Sequence, residues 1–463
     1  MLKLIKNNMR GGISLITHRY SKANNKYMKN YNPDEDDYHN IYLDANNLYG
    51  AAMSKYIPLG HYKWNDKISL NKILSTKNNN YIGYIVEVDL EIPIELHDYF
   101  NDYPLAVENT SYEPSPYMKE VAEKLNVKQS KVNKLIPNLY NKTKYVTHYQ
   151  NLKLFWQLGL KITKLHRVLQ FEQKPFLQDY IMFNTNMRSQ TKLDYEKDLF
   201  KLFNNAIFGK TMENVEKRID VRLINDENTF MKHVCKPYYK SSKIFSNNLC
   251  AIHLNKTEVI YDKPIGVGYT ILELSKHHMY DFHYNVMKKK YNENLKLLFT
   301  DTDSLCYRIK TKDLYEDMKE MSDYFDFSDY PEDHKCYSDK NKKVIGKFKD
   351  ECNSKPLKTF AGIRSKMYKI EIDDGKTKGT MKGIKTNVSK NIDIEAYKNC
   401  LFSNNINDNK TEVSFNLFQN KNHIMKTISI TKTALCSFDD KRYYINSIDS
   451  YAHGHYKAVD MND

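Results

Sequence analysis

Residues Leu297–Cys306 read LLFTDTDSLC. An apolar, β-favouring run (Leu297, Leu298, Phe299) enters, Asp301-Thr302-Asp303 takes the place of turn formers, and Leu305, Cys306 and Tyr307 leave. That is the pattern of a β-hairpin with two carboxylates at its tip. Like charges at this spacing repel and are held ionised together most readily by a divalent cation, for which hard oxygen ligands suit Mg2+ or Mn2+. An ordinary polar turn has the same composition, so the stretch gains meaning only from what accompanies it.

Upstream, IYLD (Ile41–Asp44) is an apolar strand ending on a carboxylate, followed by ANNLYGAAM with turn formers Asn46 and Asn47. An Asp there can hold a metal at a sheet edge or cap a helix. YIGYIVEVDLEIP (Tyr81–Pro93) alternates as a further strand of the same sheet. Its Asp89-Leu90-Glu91 is similar to the first carboxylate pair of a proofreading exonuclease, but no partner set follows, and it reads as a surface feature. A helix is predicted from about Leu193 to Val215. At about 100° per residue, Leu199, Leu202, Phe203 and Ala206 share the packing face, while Lys197, Lys201, Asn205 and Phe208 share the opposite one. Gly209 next to Phe208 permits close approach to the backbone. Gly209-Lys210-Thr211 is no phosphate loop, because Asn204 stands where its first glycine belongs. Pro264 introduces a second helix carrying Val267, Ile271, Leu274, Phe282 and Val286, with Lys288, Lys289 and Lys290 near its end.

The 463 residues allow two to four compact units. Lys plus Arg exceed Asp plus Glu by 71 to 57, a balance of +14 that favours an anionic partner such as nucleic acid. Seven scattered cysteines without a CxxC pair argue for reduced thiols, an intracellular setting and no zinc ribbon. No apolar run approaches the roughly 18 residues of a membrane span, and the N-terminus lacks the apolar centre of a signal peptide. His453 and His455 near Asp439 and Asp440 match no metal-ligand spacing and read as structural.

DANNLYG (Asp44–Gly50), KLFNNAIFG (Lys201–Gly209) and TDTDS (Thr300–Ser304), in this order, resemble motifs A, B and C of family B DNA polymerases, usually DxxSLYP, KxxxNSxYG and YxDTDS. Lys366-Met367-Tyr368 resembles the KxY motif that follows. RGGIS near the start, SKHHMYDFHY before motif C and FDDKRYYI near the end resemble protein-primed members, especially those of Polinton (Maverick) elements and related viruses. Departures are Asn47 for the usual Ser, Gly50 for Pro, Ala206 for Ser and Phe208 for Tyr. Met9 stands where the protein-primed group often has Tyr. None removes a metal ligand.

The resemblance implies an α+β right-hand fold with an antiparallel palm sheet, helical fingers and a small thumb. With 43 residues ahead of Asp44, it implies a module without the exonuclease domain. The expected divisions are a linker (1–40), palm (41–107), an insertion (108–147), fingers (148–215), a β-rich insertion (216–263), palm with motif C and KxY (264–372), and thumb (373–463). The implied reaction is template-directed transfer of a deoxynucleotide to a primer 3′-hydroxyl. Asp44, Asp303, Asp301 and the Ala45 carbonyl would serve two Mg2+ or Mn2+ ions, with Lys201 catalytic. Asn47, Leu48, Tyr49, Arg188, Lys197, Asn205 and Phe208 would line the nucleotide, and Tyr49 would exclude a ribose 2′-hydroxyl. Arg10, Gly11, Gly12, Gly209, Thr302, Lys366 and Tyr368 would meet DNA. Partners would be a DNA primer–template, deoxynucleoside triphosphates and a terminal priming protein, with no membrane. Rivals are a reverse transcriptase and an impaired nucleic-acid-binding remnant.

Overall fold

The computed structural model describes residues 1–421 and 424–459. The Asp hairpin is central in a six-stranded sheet of β1 (Ser14–Ile16), β2 (Tyr38–Ala45), β3 (Leu295–Asp301), β4 (Ser304–Lys310), β5 (Phe325–Asp326) and β6 (Phe348–Asp350). The spatial order is β1-β3-β4-β2-β6-β5, antiparallel except for the β5–β6 pair. Leu297–Phe299 and Leu305–Tyr307 are buried on both faces, which is why they read as continuous apolar runs rather than as an alternation.

The strand predicted over Tyr81–Pro93 forms as Ile82–Glu91, but not in this sheet. It joins a second sheet, ordered Ile57–Trp64, Lys161–Lys174, Ile82–Glu91, Lys142–His148. The edge strands β1 and β5 offer three and two residues, whereas Lys161–Lys174 offers fourteen to a ten-residue strand. The longer ladder wins. Both sheets share one core, in which Val86, Val88 and Leu90 join Leu43, Leu305 and Tyr307. The stretch 108–147, expected to be a loosely organised insertion, supplies the edge strand Lys142–His148 of that second sheet. Lys142 is buried against Glu108 at 2.8 Å.

Nor are residues 1–40 a linker. Ile13, Leu15 and Ile16 are buried, β1 pairs with β3, and Tyr20–Lys22 extends a third sheet formed with Leu357–Arg364, Met367–Ile372 and Thr377–Met381. Two arginines make this burial possible by lying over rings, Arg10 4.0 Å from Tyr145 and Arg19 3.8 Å from Tyr444.

Four helices matter for the site: α1 (Leu48–Met53), α2 (Gln178–Gln190), α3 (Asp194–Thr211) and α4 (Ile265–Asp281). Every residue of α4 from Gly266 to Lys276 is buried. Glu273 on α4 accepts from Thr147 Oγ1 (2.8 Å) and Asn151 Nδ2 (3.0 Å), and pairs with Lys276 at 3.2 Å. Although burial alone would raise it, Lys276 and Arg10 hold the Glu273 carboxyl down at about 2. The predicted helical period runs on past Asp281, but as a π-helix over Phe282–Lys288. Residues 216–263 form the expected β-rich insertion, Asp220–Ile224, Leu249–Leu254 and Tyr239–Ser246.

Near the C-terminus Lys410–Lys421 and Ile424–Cys436 make a two-stranded ribbon. The strand expected over His423–Ile430 belongs to its second arm, with His423 outside the described residues. His453 is buried with Nε2 3.1 Å from the Asp440 carbonyl, and His455 stacks on Tyr451, so both are structural. Among the described residues no helix is long and apolar enough to cross a membrane.

Candidate active site

Strand pairing brings the two acidic motifs together across more than 250 residues of chain. Asp44 near the end of β2 lies opposite Ser304 of β4 on one side and Lys349 of β6 on the other. The Ala45 N–H donates to the Asp303 carbonyl at 2.8 Å. The reversal between β3 and β4 is as tight as a chain allows, with the Asp303 N–H donating to the Asp301 carbonyl at 2.8 Å. Thr302 at its apex has φ 67°, a strained conformation for a β-branched residue. The Thr302 N–H donates to the Ile13 carbonyl at 2.7 Å. Gly12 makes that contact possible, because a Cβ there would stand 2.5 Å from Thr302 Cγ2 and 2.8 Å from its Cβ. Gly12 and Thr302, read from sequence as DNA contacts, therefore pack on each other, while Gly11 faces open space.

Asp44 and Asp303 line one cavity of about 400 Å3. Its other walls include Ala45, Asn47, Leu48 and Tyr49 after β2, Arg188 of α2, and Lys201 and Asn205 of α3. Asn47, at φ 43°, caps α1 by accepting from the Gly50 N–H at 3.1 Å. Burial, then Asp303 and Glu351, push the Asp44 carboxyl up to about 8, against the pull of Lys201 and Lys349. Burial also raises Asp303, with Asp301 adding to it. Two carboxylates in one cleft resist ionising together.

Helix α3 is turned from its predicted orientation. Leu202 and Phe203 are exposed at 60% and 39%, and the helix packs instead through Asn204, Ile207, Phe208 and Thr211. Apolar periodicity named a stripe, but α2, α1 and α4 cover its neighbour. Phe208 consequently stacks on Tyr49, with ring centroids 4.4 Å apart and planes 14° apart. Lys201 stays exposed at the cavity, whereas Lys197 is drawn to Asp194 at 2.9 Å and Gly209 has nothing within 4 Å of a Cβ.

Three further assignments change. The Asp301 carboxylate does not line the cavity but binds Lys366 Nζ at 2.5 Å. Tyr368 is buried, its ring stacked on Phe299 at 4.2 Å and its hydroxyl 3.0 Å from that of Tyr42. It is a core residue, unavailable to DNA. So is Arg10, 7% exposed, which donates to the Val146 carbonyl at 2.8 Å and whose own carbonyl accepts from Lys276 at 3.0 Å.

The cavity also holds residues that motif reading missed: Asp326, Asp329, Lys343, Lys349 and Glu351. Lys349 pairs with Asp329. They arrive on β5, β6, the loop between and the residue after β6, and their only sequence signal is a charge-rich stretch.

Among the described residues no group of three or more His, Cys, Asp or Glu is disposed to hold a metal ion. Mg2+ is commonly bound through one or two carboxylates together with substrate phosphates. Asp44 and Asp303, half-buried in one cavity and with Asp303 raising the Asp44 carboxyl, match that donor set, and Ala45 lines the same cavity.

No family model and no curated protein matches the chain. Among solved structures it has a polymerase fold. It is similar to phi29 DNA polymerase in a ternary complex with primer-template DNA and incoming nucleotide substrates (TM-score 0.54, 14% identity), in an orthorhombic crystal form (0.51, 15%) and in a post-translocation binary complex with primer-template DNA (0.52, 14%). Each match covers 93% of this chain and 62% of the other, so the chain spans about three-fifths of the length of those polymerases.

Proposed function

We propose that the chain is a template-directed DNA polymerase that joins a deoxynucleoside triphosphate to a primer 3′-hydroxyl with release of pyrophosphate. The observation that carries this reading is the convergence of Asp44, Asp303 and Lys201 on one cavity from three distant parts of the sequence. In this reading the six-stranded sheet is the palm, α2 and α3 are the fingers, and the C-terminal ribbon belongs to the thumb.

Two divalent ions held by Asp44, Asp303 and the Ala45 carbonyl would supply charge neutralisation and activation of the primer hydroxyl. Lys201 and Arg188 bind the triphosphate and offset the charge that gathers on the leaving pyrophosphate. Tyr49, fixed by its stack on Phe208, sits under the sugar and rejects a 2′-hydroxyl by bulk. Asp301 orients Lys366 toward the primer backbone. A second cavity of about 400 Å3 next to that pair, lined by Lys134, Arg364, Lys366, Lys382 and Lys441 among others, supplies cations for the same strand. Such contacts give position rather than sequence preference. The stretches 108–147 and 216–263 are the regions we assign to a terminal protein and to template. Seven unpaired cysteines suit a reducing, intracellular setting.

The test is primer extension by the full chain with Mg2+ on matched DNA and RNA templates. Extension on DNA is expected. Extension confined to RNA would make the protein a reverse transcriptase, and binding without extension on either would make it an inactive nucleic-acid-binding protein.

A further inference from the structure

The loop between β5 and β6 carries more lysines than its structural needs explain. Lys340 pairs with Asp323 at 2.7 Å and Lys342 with Asp339 at 2.9 Å, while Lys347 donates to the Asp323 carbonyl. Lys343 is different. Among the described residues its ammonium makes no ion pair, and it lines the cavity that holds Asp44 and Asp303. Arg188 and Lys201 line the same cavity, also without an ion pair among the described residues.

The backbone presenting Lys343 is tied down. Its N–H donates to Asp326 Oδ2 at 2.8 Å, and the same oxygen accepts from Asn46 Nδ2 at 2.7 Å. The Asn46 N–H donates to the Lys347 carbonyl at 2.8 Å, and the Gly346 N–H returns to the Asn46 carbonyl at 2.7 Å. Lys343 itself has φ 56°, a conformation that costs a non-glycine residue free energy and persists only where its surroundings impose it. The loop is thus stitched to the turn that follows Asp44, and its fixed product is an unpaired cation aimed into the cavity. Partial burial, with Arg188 and Lys197 facing it, disfavours the charged form of Lys343 against the opposing pull of Asp329, which is itself paired with Lys349. Like charges gathered in this way are relieved by an anion with several oxygens.

We propose that Lys343 is a phosphate ligand for the incoming nucleotide, reaching the triphosphate from the loop between β5 and β6 while Lys201 reaches it from α3. This rests on the polymerase reading for the identity of the ligand, and on the geometry alone for a polyphosphate site. Losing one charge-assisted hydrogen bond weakens binding on the order of 10–100-fold. In single-nucleotide extension at saturating primer–template, Lys343→Ala is therefore expected to raise the nucleotide KM by about that factor, with Lys343→Arg recovering most of it and DNA affinity unchanged. Lys342→Ala, whose side chain is solvent-exposed and paired with Asp339, is the control and should leave the KM where it was. Calorimetric titration of each variant with tripolyphosphate reads the same site without chemistry. Weaker tripolyphosphate binding by Lys343→Ala in a chain that extends no primer would sustain the anion site and defeat the polymerase reading. If Lys343→Ala behaves as Lys342→Ala in both assays, the inference is wrong.

Discussion

Gly12→Ala tests how the acidic turn is held. A Cβ at Gly12 would lie 2.5 Å from Thr302 Cγ2 and 2.8 Å from Thr302 Cβ, and closer still to Oγ1. All three side-chain atoms crowd it, so no rotamer of Thr302 clears the clash. Ordinary carbon contacts fall at about 3.5–4.0 Å, so the β3–β4 turn must retreat by about 1 Å. Overpacking of this kind costs about 1–3 kcal/mol of stability, and a misplacement of about 1 Å in a reacting group costs on the order of 100-fold in rate. Gly12→Ala should therefore lower single-nucleotide extension about 100-fold, and lower the urea midpoint as well. Thr302→Gly removes both the clashing atoms and the strained φ of 67°. The Gly12→Ala/Thr302→Gly double variant should accordingly match Thr302→Gly alone in both assays. A Gly12→Ala protein within threefold of wild type, or a double variant as impaired as Gly12→Ala, would show that Gly12 does not position Asp303.

Tyr49→Ala should raise ribonucleotide incorporation on the order of 10-fold relative to deoxynucleotide, measured by competing the two on one template; unchanged sugar selectivity would put the discriminating group elsewhere. Stability should fall in mild acid. His283 is 2% exposed and burial keeps it neutral down to about 3, against 6.5 in the unfolded chain. The unfolded state therefore binds the extra proton first, and at pH 5 this one group favours unfolding by about 2 kcal/mol. His148, held neutral to about 3, acts in the same sense. Urea midpoints at pH 7.5 and pH 5 check this, with a lower midpoint at pH 5 expected and a smaller gap in His283→Gln; a gap unchanged in His283→Gln would contradict the burial of this ring.

How much of this was legible depended on whether a feature was local. The Asp hairpin and the strand ending at Asp44 were readable because continuous apolar runs and turn formers specify them within ten residues. The site's second carboxylate was found by the order of motifs, yet that it meets the first follows from β2 pairing with β4, which no local pattern encodes. The orientation of α3 was misread because its apolar stripe is exposed, and what covers a helix is decided by partners far away in sequence. Three-residue strands such as Ser14–Ile16 are too short to carry a period, so a segment that threads two sheets looked like a linker. Arg10 was expected to meet DNA because Arg10-Gly11-Gly12 resembles a motif of the protein-primed group, and nothing local announces a guanidinium laid over Tyr145. Tyr368 sits in a recognisable motif but spends its ring in the core. Lys349 enters the cavity through the register of β6 on β2, and Lys343 through a loop tied to Asp326, so composition alone could not have singled them out.

The most direct measurement is Mg2+-dependent extension of a primer–template by wild-type protein beside Asp303→Asn and Asp44→Asn, with DNA affinity determined in parallel. Since removing even indirect supports of a metal costs about 10–100-fold, either substitution should lose more than ~100-fold in extension while binding DNA nearly as before. Extension that survives either substitution would mean that the two carboxylates meeting in this cavity are not where nucleotides are joined.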